Sequence, residues 1–117
     1  MADISLIVLR CADLISSRAF YSTVGLEFVR EKHGNGPEHF AAEFNGQVFE
    51  LYPLRESSEV GEGLGRIGFR VSSVDETVRK LAESGIEVVS EPRQTDWGYS
   101  AVVRDPDRRT VELTESI

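Results

Sequence analysis

The chain has 117 residues, 40% of them hydrophobic, which is one domain's worth and enough to bury a core without disulfide staples. A formal charge of −7 leaves no surplus of clustered Lys and Arg, so neither nucleic acid nor an anionic membrane is expected as a partner. The single Cys11 forms no internal disulfide, and no apolar stretch reads as a signal peptide or membrane span, so a reducing, cytoplasmic setting is the expectation.

ISLIVLRC at 4–11 is β-branched and aliphatic, with no turn residue inside, and reads as a strand. Asp13 follows as an N-cap. Leu14, Phe20, Tyr21 and Val24 mark the apolar face of a helix that ends at Gly25, where a left-handed residue is needed. Residues 26–32 form a second strand, closed by HGNGP at 33–37. Residues 38–44 and 47–53 form a hairpin around Asn45-Gly46, a dipeptide suited to a two-residue turn. The stretch at 54–65 is polar, Gly-rich and without periodicity, and reads as a linker.

The same order then recurs. Residues 66–71 form a strand, Ser73 and Glu76 make a capping box, and Val74, Val78, Leu81 and Ala82 line a helix that Gly85 ends. Residues 86–90 form a strand, a loop runs through Pro92 and Trp97, and 99–104 with 110–114 form a hairpin around DPDRR. Residues 6–29 lie over 66–89 at a constant offset of 60 without a gap, matching Ile7 to Ile67, Arg10 to Arg70, Gly25 to Gly85 and Val29 to Val89. The register continues through Ala41 and Ala101, then slips by two so that Phe49-Glu50-Leu51 falls on Val111-Glu112-Leu113. Two copies are too few for a solenoid and point to paired βαβββ modules, 1–53 and 66–117, in one α+β domain.

Alternation assigns faces. Phe40, Phe44, Phe49 and Leu51 should pack on the helix, leaving His39, Ala41, Glu43, Val48, Glu50 and Tyr52 opposite. The repeat puts Tyr99, Ala101, Val103, Glu112 and Thr114 on the equivalent face. From the first strands, Leu6, Val8 and Arg10 join one open face, and Arg66, Gly68 and Arg70 the other. Two such faces would enclose a cleft, the usual setting for a small ligand. Cys11 faces the helix as a core thiol, with no neighbouring base to make it a nucleophile.

LIVLRCADLISSRAFYSTVGLEF, FELYP and WGYSAVVRDPDRRTVELTE together resemble the vicinal oxygen chelate superfamily, the glyoxalase, bleomycin-resistance and extradiol-dioxygenase group. The resemblance covers nearly the whole chain and implies two modules paired in a cup-shaped half-barrel, usually as a homodimer. Metal-dependent members hold a divalent ion with one residue from the first and one from the last strand of each module. Glu50 and Glu112 stand at two of those positions, but Leu6 and Arg66 stand at the other two. Leu6 has no donor atom and Arg66 remains a protonated cation, so the resemblance implies no metal here, with Glu50 and Glu112 as the fallback ligands.

Arg66 could replace the ion by pairing with Glu112 and Glu50, or point into solvent. In the last turn, Arg108 and Arg109 stand where the family has Gly and Asn, which suggests another turn shape. His39, diagonal to Glu50, reads as a surface histidine with a ligand or general-base role as the alternative. His33 should be exposed. Tyr52, Trp97 and Tyr99 could form an aromatic wall.

The leading reading is a metal-free cleft in which Leu6, His39, Tyr52, Trp97 and Tyr99 contact a small organic molecule. An enzyme is the alternative, either a lyase, isomerase or dioxygenase recruiting a divalent ion through Glu50 and Glu112, or a metal-free catalyst using those carboxylates beside Arg66. An interaction module without a ligand comes third.

Overall fold

The computed structural model describes residues 2–55 and 66–116, so most of the predicted linker, 56–65, lies outside the described residues. The first module comprises β1 (Leu6–Cys11), α1 (Leu14–Val24), β2 (Val29–Glu31), β3 (His39–Phe44) and β4 (Gln47–Pro53). The second repeats the order with β5 (Arg66–Val71), α2 (Val74–Glu83), β6 (Val88–Thr95), β7 (Gly98–Arg104) and β8 (Thr110–Glu115). Each module makes a four-stranded mixed sheet, β1-β4-β3-β2 and β5-β8-β7-β6. β1 runs parallel to β4 and β5 parallel to β8, and the other neighbours are antiparallel. The α+β pairing of two βαβββ modules is therefore as read from the repeat.

Both helices start where their caps are. The Asp13 carboxylate accepts from the backbone N–H of Ile15 and Ser16, which lowers its pKa, and Ser73 Oγ accepts from Glu76 N–H. In α2, Asp75 and Glu76 occupy the first turn and Lys80 the last, the arrangement a helix dipole favours. Gly25 and Gly85 end the helices with φ of 132° and 86°, values that side-chain-bearing residues rarely adopt.

Three boundaries differ from the sequence reading. The first strand begins at Leu6, and β2 is only three residues long because Leu26 and Phe28 pack on the core without strand partners. The predicted loop at 91–98 is mostly strand, since β6 continues through Pro92 to Thr95 and leaves Asp96-Trp97 as a tight turn. β6 is an edge strand, where a missing N–H need not interrupt the ladder, and the register shifts on both sides of Ser90 absorb the misfit.

Those irregularities also move the repeat's register. Ala41 pairs with Glu50, whereas Glu112 pairs with Val102, so Val102 and not Ala101 is the counterpart of Ala41. Ala101 and Val103 are fully buried against the helix layer, and Tyr99 packs with them. The predicted open-face set of Tyr99, Ala101 and Val103 is thus one residue out of phase. Ser100, Val102 and Arg104 take the open face instead.

One core runs through both modules. The Tyr21 ring lies 5.1 Å from Phe49 and 5.8 Å from Phe69, and Phe49 and Phe69 are 5.9 Å apart, so β5 packs directly on the first module's core. α1 touches α2. The molecule measures 47 × 34 × 23 Å.

A buried polar knot fixes the two modules. The Asp105 carboxylate accepts from Tyr21 Oη at 2.6 Å, Arg109 Nη1 at 3.0 Å and the backbone N–H of Asp107 and Arg109, each at 2.9 Å. Asp107 accepts from Ala12 N–H and Ser17 Oγ at the start of α1, and Arg109 donates to the Arg10 carbonyl. Burial, then the charge of Asp105, pushes the Tyr21 phenol far above its usual pKa. Burial works against the Arg109 charge, but hydrogen bonding and attraction to Asp105 raise its pKa overall. The DPDRR turn keeps a left-handed residue despite lacking Gly, with Arg108 at φ 67° and its N–H bonded to the Asp105 carbonyl. Among the described residues no helix is long and apolar enough to cross a membrane.

Candidate functional site

Cross-strand register builds the first open face in rows. Leu6 stands beside Val48, Val8 beside Glu50, and Arg10 beside Tyr52, while Glu31 pairs with His39. The last row is continuous in side chains: the Arg10 guanidinium lies 5.0 Å from the Tyr52 ring centre, and Tyr52 stacks on His39 at 4.1 Å with an interplanar angle of 9°. His39 Nε2 is 3.4 Å from Glu31 Oε1 and 3.6 Å from Glu50 Oε2. His39 is only 1% exposed. The expected surface histidine is instead buried, because Tyr52 covers one side of the ring and His33 and Glu31 close over another. His33 is exposed, as expected. A cavity of about 570 Å³ lies over this face, lined by Glu31, Glu43, Glu50, Phe28, Val29 and Val48.

The second open face is different in charge. A cavity of about 660 Å³ is lined by Arg66, Arg93, Gln94, Trp97, Val102 and Glu112, among others. Trp97 is 84% exposed at its lip. Thr95 holds that turn, with Oγ1 donating to the Gly98 carbonyl at 2.7 Å and accepting from Trp97 N–H at 3.1 Å, so the indole projects outward. Arg66 Nη1 meets Glu112 Oε2 at 3.2 Å, but the side chains are 63% and 27% exposed. The expected Arg66–Glu112 pair therefore exists as a solvated pair, while Glu50 is engaged by His39 in the other module.

The aromatic wall is not assembled within the chain. Tyr52 belongs to the first open face, Trp97 to the tip of the second sheet, and Tyr99 turns to the helix side, where its hydroxyl donates to Asp75 Oδ1 at 2.6 Å. That bond is also what raises the Tyr99 pKa. Cys11 is buried, and burial pushes its thiol upward, away from nucleophilic reactivity.

The divalent-ion set implied by the sequence resemblance does not fit these residues. Leu6 offers no donor atom, Arg66 brings a cation next to Glu112, and Glu50 faces His39. Sequence reasoning missed Glu31 altogether and gave His33 no role. The signal was a Glu-x-His placed just before a glycine turn, with a second His at the turn's far end. It also read DPDRR only as a turn, whereas Asp105, Asp107 and Arg109 hold the modules together.

Comparisons with known proteins agree with this fold. The family model for the glyoxalase/bleomycin resistance protein/dioxygenase superfamily matches residues 3–113. The chain is 32% identical to the uncharacterized protein YwkD of Bacillus subtilis (strain 168), with 93% of each chain covered. Among solved structures it resembles TnmS3, an antibiotic binding protein from Streptomyces sp. CB03234, with a TM-score of 0.75, 23% identity and coverage of 100% and 98%. It also resembles a glyoxalase-related enzyme from Fulvimarina pelagi, with a TM-score of 0.76, 20% identity and coverage of 99% and 89%.

Proposed function

Because the chain belongs to the glyoxalase/bleomycin resistance protein/dioxygenase superfamily, we propose that it binds a small organic molecule in a cleft made by two copies, without an ion at the family's metal positions. The second open face of one copy supplies Arg66, Arg93, Trp97 and Glu112, and the first open face of its partner closes the cavity. The observation that carries this reading is Trp97, an indole 84% exposed above a cavity of about 660 Å³ beside a guanidinium–carboxylate pair. Large exposed aromatics mark binding surfaces, because they offer contact area at little conformational cost.

Pairing of copies is supported by complementary faces. The first is acidic, through Glu27, Glu31, Glu43 and Glu50, with exposed Leu6, Val8 and Val29. The second offers the guanidinium groups of Arg66 and Arg93 beside the carboxylates of Asp96 and Glu112. Both cavities lie in the size range usual for ligand sites, roughly 300–1,000 Å³. TnmS3, a structural relative, is an antibiotic binding protein, which fits this class of ligand.

Trp97 is the chain's only tryptophan and reports directly on its own site. Titration of the intrinsic fluorescence with a panel of planar aromatic compounds, anionic ones included, tests the reading. Saturable quenching by at least one compound, lost in Arg66→Ala, is expected. Fluorescence that follows only the linear absorbance of every compound would oppose it.

A further inference from the structure

We propose that Glu31, His33 and His39 form a binding site for one first-row divalent metal ion at the outer edge of the first sheet, with a coordination position left open. The site lies wholly within the first module, its three ligands differ from the family's metal positions although His39 stands 3.6 Å from Glu50, and it stands independently of the organic-ligand reading.

Three side chains bring one donor atom each, and all three atoms lie within 4.8 Å of one another. Glu31 Oε1 is 3.4 Å from His33 Nε2 and 3.4 Å from His39 Nε2. Both separations are longer than ordinary hydrogen bonds, which cluster at roughly 2.7–3.2 Å. They match the edge of a tetrahedron whose metal–ligand bonds are about 2.0–2.1 Å, for which donors stand about 3.3–3.4 Å apart. The carboxylate oxygen is thus spaced from each imidazole nitrogen as a shared ion would space it, and the two nitrogens lie within 4.8 Å of each other.

The histidine orientation fits as well. His39 Nδ1 lies 3.2 Å from the Pro37 carbonyl, which can only accept, so Nδ1 is held by the backbone and Nε2 is the nitrogen left for an ion. The Tyr52 hydroxyl is 3.3 Å from that Nε2. The near-parallel rings, however, place the hydroxyl oxygen above the imidazole plane and not in it, where Nε2 points. A ring only 1% exposed therefore directs Nε2 at Glu31 and Glu50.

The backbone is shaped for the third ligand. Glu31 and His39 are cross-strand partners on β2 and β3, so their side chains share a face. Gly34 adopts φ 58°, and Gly36 donates its N–H to the His33 carbonyl at 2.9 Å, folding the turn back. A Cβ at Gly36 would stand 3.0 Å from that carbonyl oxygen. The fold-back brings the His33 ring centre to 5.2 Å from that of His39.

Glu50 is outside the mutually close set, so water or an oxygen donor of another molecule is left to complete the coordination. Glu31 and Glu50 both line the cavity of about 570 Å³ over this face, so the site borders that cavity through its carboxylate ligand. Two imidazoles and one carboxylate suit zinc(II), iron(II), cobalt(II) or nickel(II) and disfavour magnesium and calcium, which take mainly oxygen ligands.

The test is calorimetric titration of chelator-treated, tag-free protein with zinc(II), supported by visible absorption of a cobalt(II) titration. The expected result is one ion per chain with a dissociation constant in the micromolar range or below. His33→Ala and Glu31→Gln should each weaken binding at least tenfold, and thermal melts of the metal-free variants show whether they remain folded. Glu38→Gln removes a nearby exposed carboxylate and should leave affinity unchanged. The assignment is overturned by absence of stoichiometric binding in the unaltered chain. Binding that survives both His33→Ala and Glu31→Gln also overturns it, as does equal weakening by Glu38→Gln.

Discussion

Replacing Asp105 with Ala should destabilise the protein by about 3 kcal/mol, because it strands an arginine in the core. Asp105 is 3% exposed and its side chain takes four hydrogen bonds, from Tyr21, Arg109 and two backbone N–H groups. Removing one partner of a buried charge pair typically costs roughly 3–5 kcal/mol. The Arg109 side chain is 20% exposed and keeps Asp107 within 3.5 Å, so some of its charge can be met by water and by that carboxylate. The low end of the range is therefore expected. For a domain of this size, about 3 kcal/mol lowers Tm by roughly 10–15 °C. Urea denaturation followed by circular dichroism measures the change directly, and an unaltered m-value would show that the same surface is still exposed on unfolding. A double-mutant cycle with Tyr21→Phe should show a coupling of about 1 kcal/mol, since the two groups share one bond. A loss under 1 kcal/mol for Asp105→Ala would refute the role given to the knot.

Arg66→Ala should change stability by no more than about 1 kcal/mol, because its pair with Glu112 is solvated; chemical denaturation would show it. In alkali, stability should be full below pH 9.0, the ordinary value of a thiol, and decline as pH rises past it and then past 10.0, the ordinary value of a phenol. Above those values the unfolded chain releases the Cys11 and Tyr21 protons while the folded chain retains them, so each group removes about 1.4 kcal/mol per pH unit. Denaturation midpoints across alkaline pH should fall accordingly, less steeply in Tyr21→Phe. Arg108→Gly relieves a left-handed residue and should stabilise by about 0.5 kcal/mol after allowing for the added freedom of the unfolded chain, a rise readable by calorimetry.

Much of this architecture is legible in the residues. Asp13, Ser73, Gly25 and Gly85 bound both helices, and Asn45-Gly46 fixes a hairpin whose register follows from its length, so Glu50 falls beside Ala41 as read. Where local rules compete, legibility fails. Pro92 argues for a loop unless its strand is known to be an edge, and an edge is a tertiary property. The shifts around Ser90 and the longer final turn then move Ala101 to the core, although its offset from Ala41 suggested the open face. His39 shows the limit of alternation, which assigns a face but not the covering made by Tyr52, Glu31 and His33 from other strands and turns. The contact of α1 with α2 has no local signature in sequence.

The central claim is that the ligand cleft is shared between copies, and sedimentation velocity tests it most directly. The unaltered chain should sediment at twice the 13.0 kDa of a single copy. Placing Glu at both Leu6 and Val8, exposed apolar residues of the first open face, should return it to one copy's mass with the fold retained. A species of 13.0 kDa in the unaltered protein, or a dimer indifferent to that double substitution, would contradict the shared cleft.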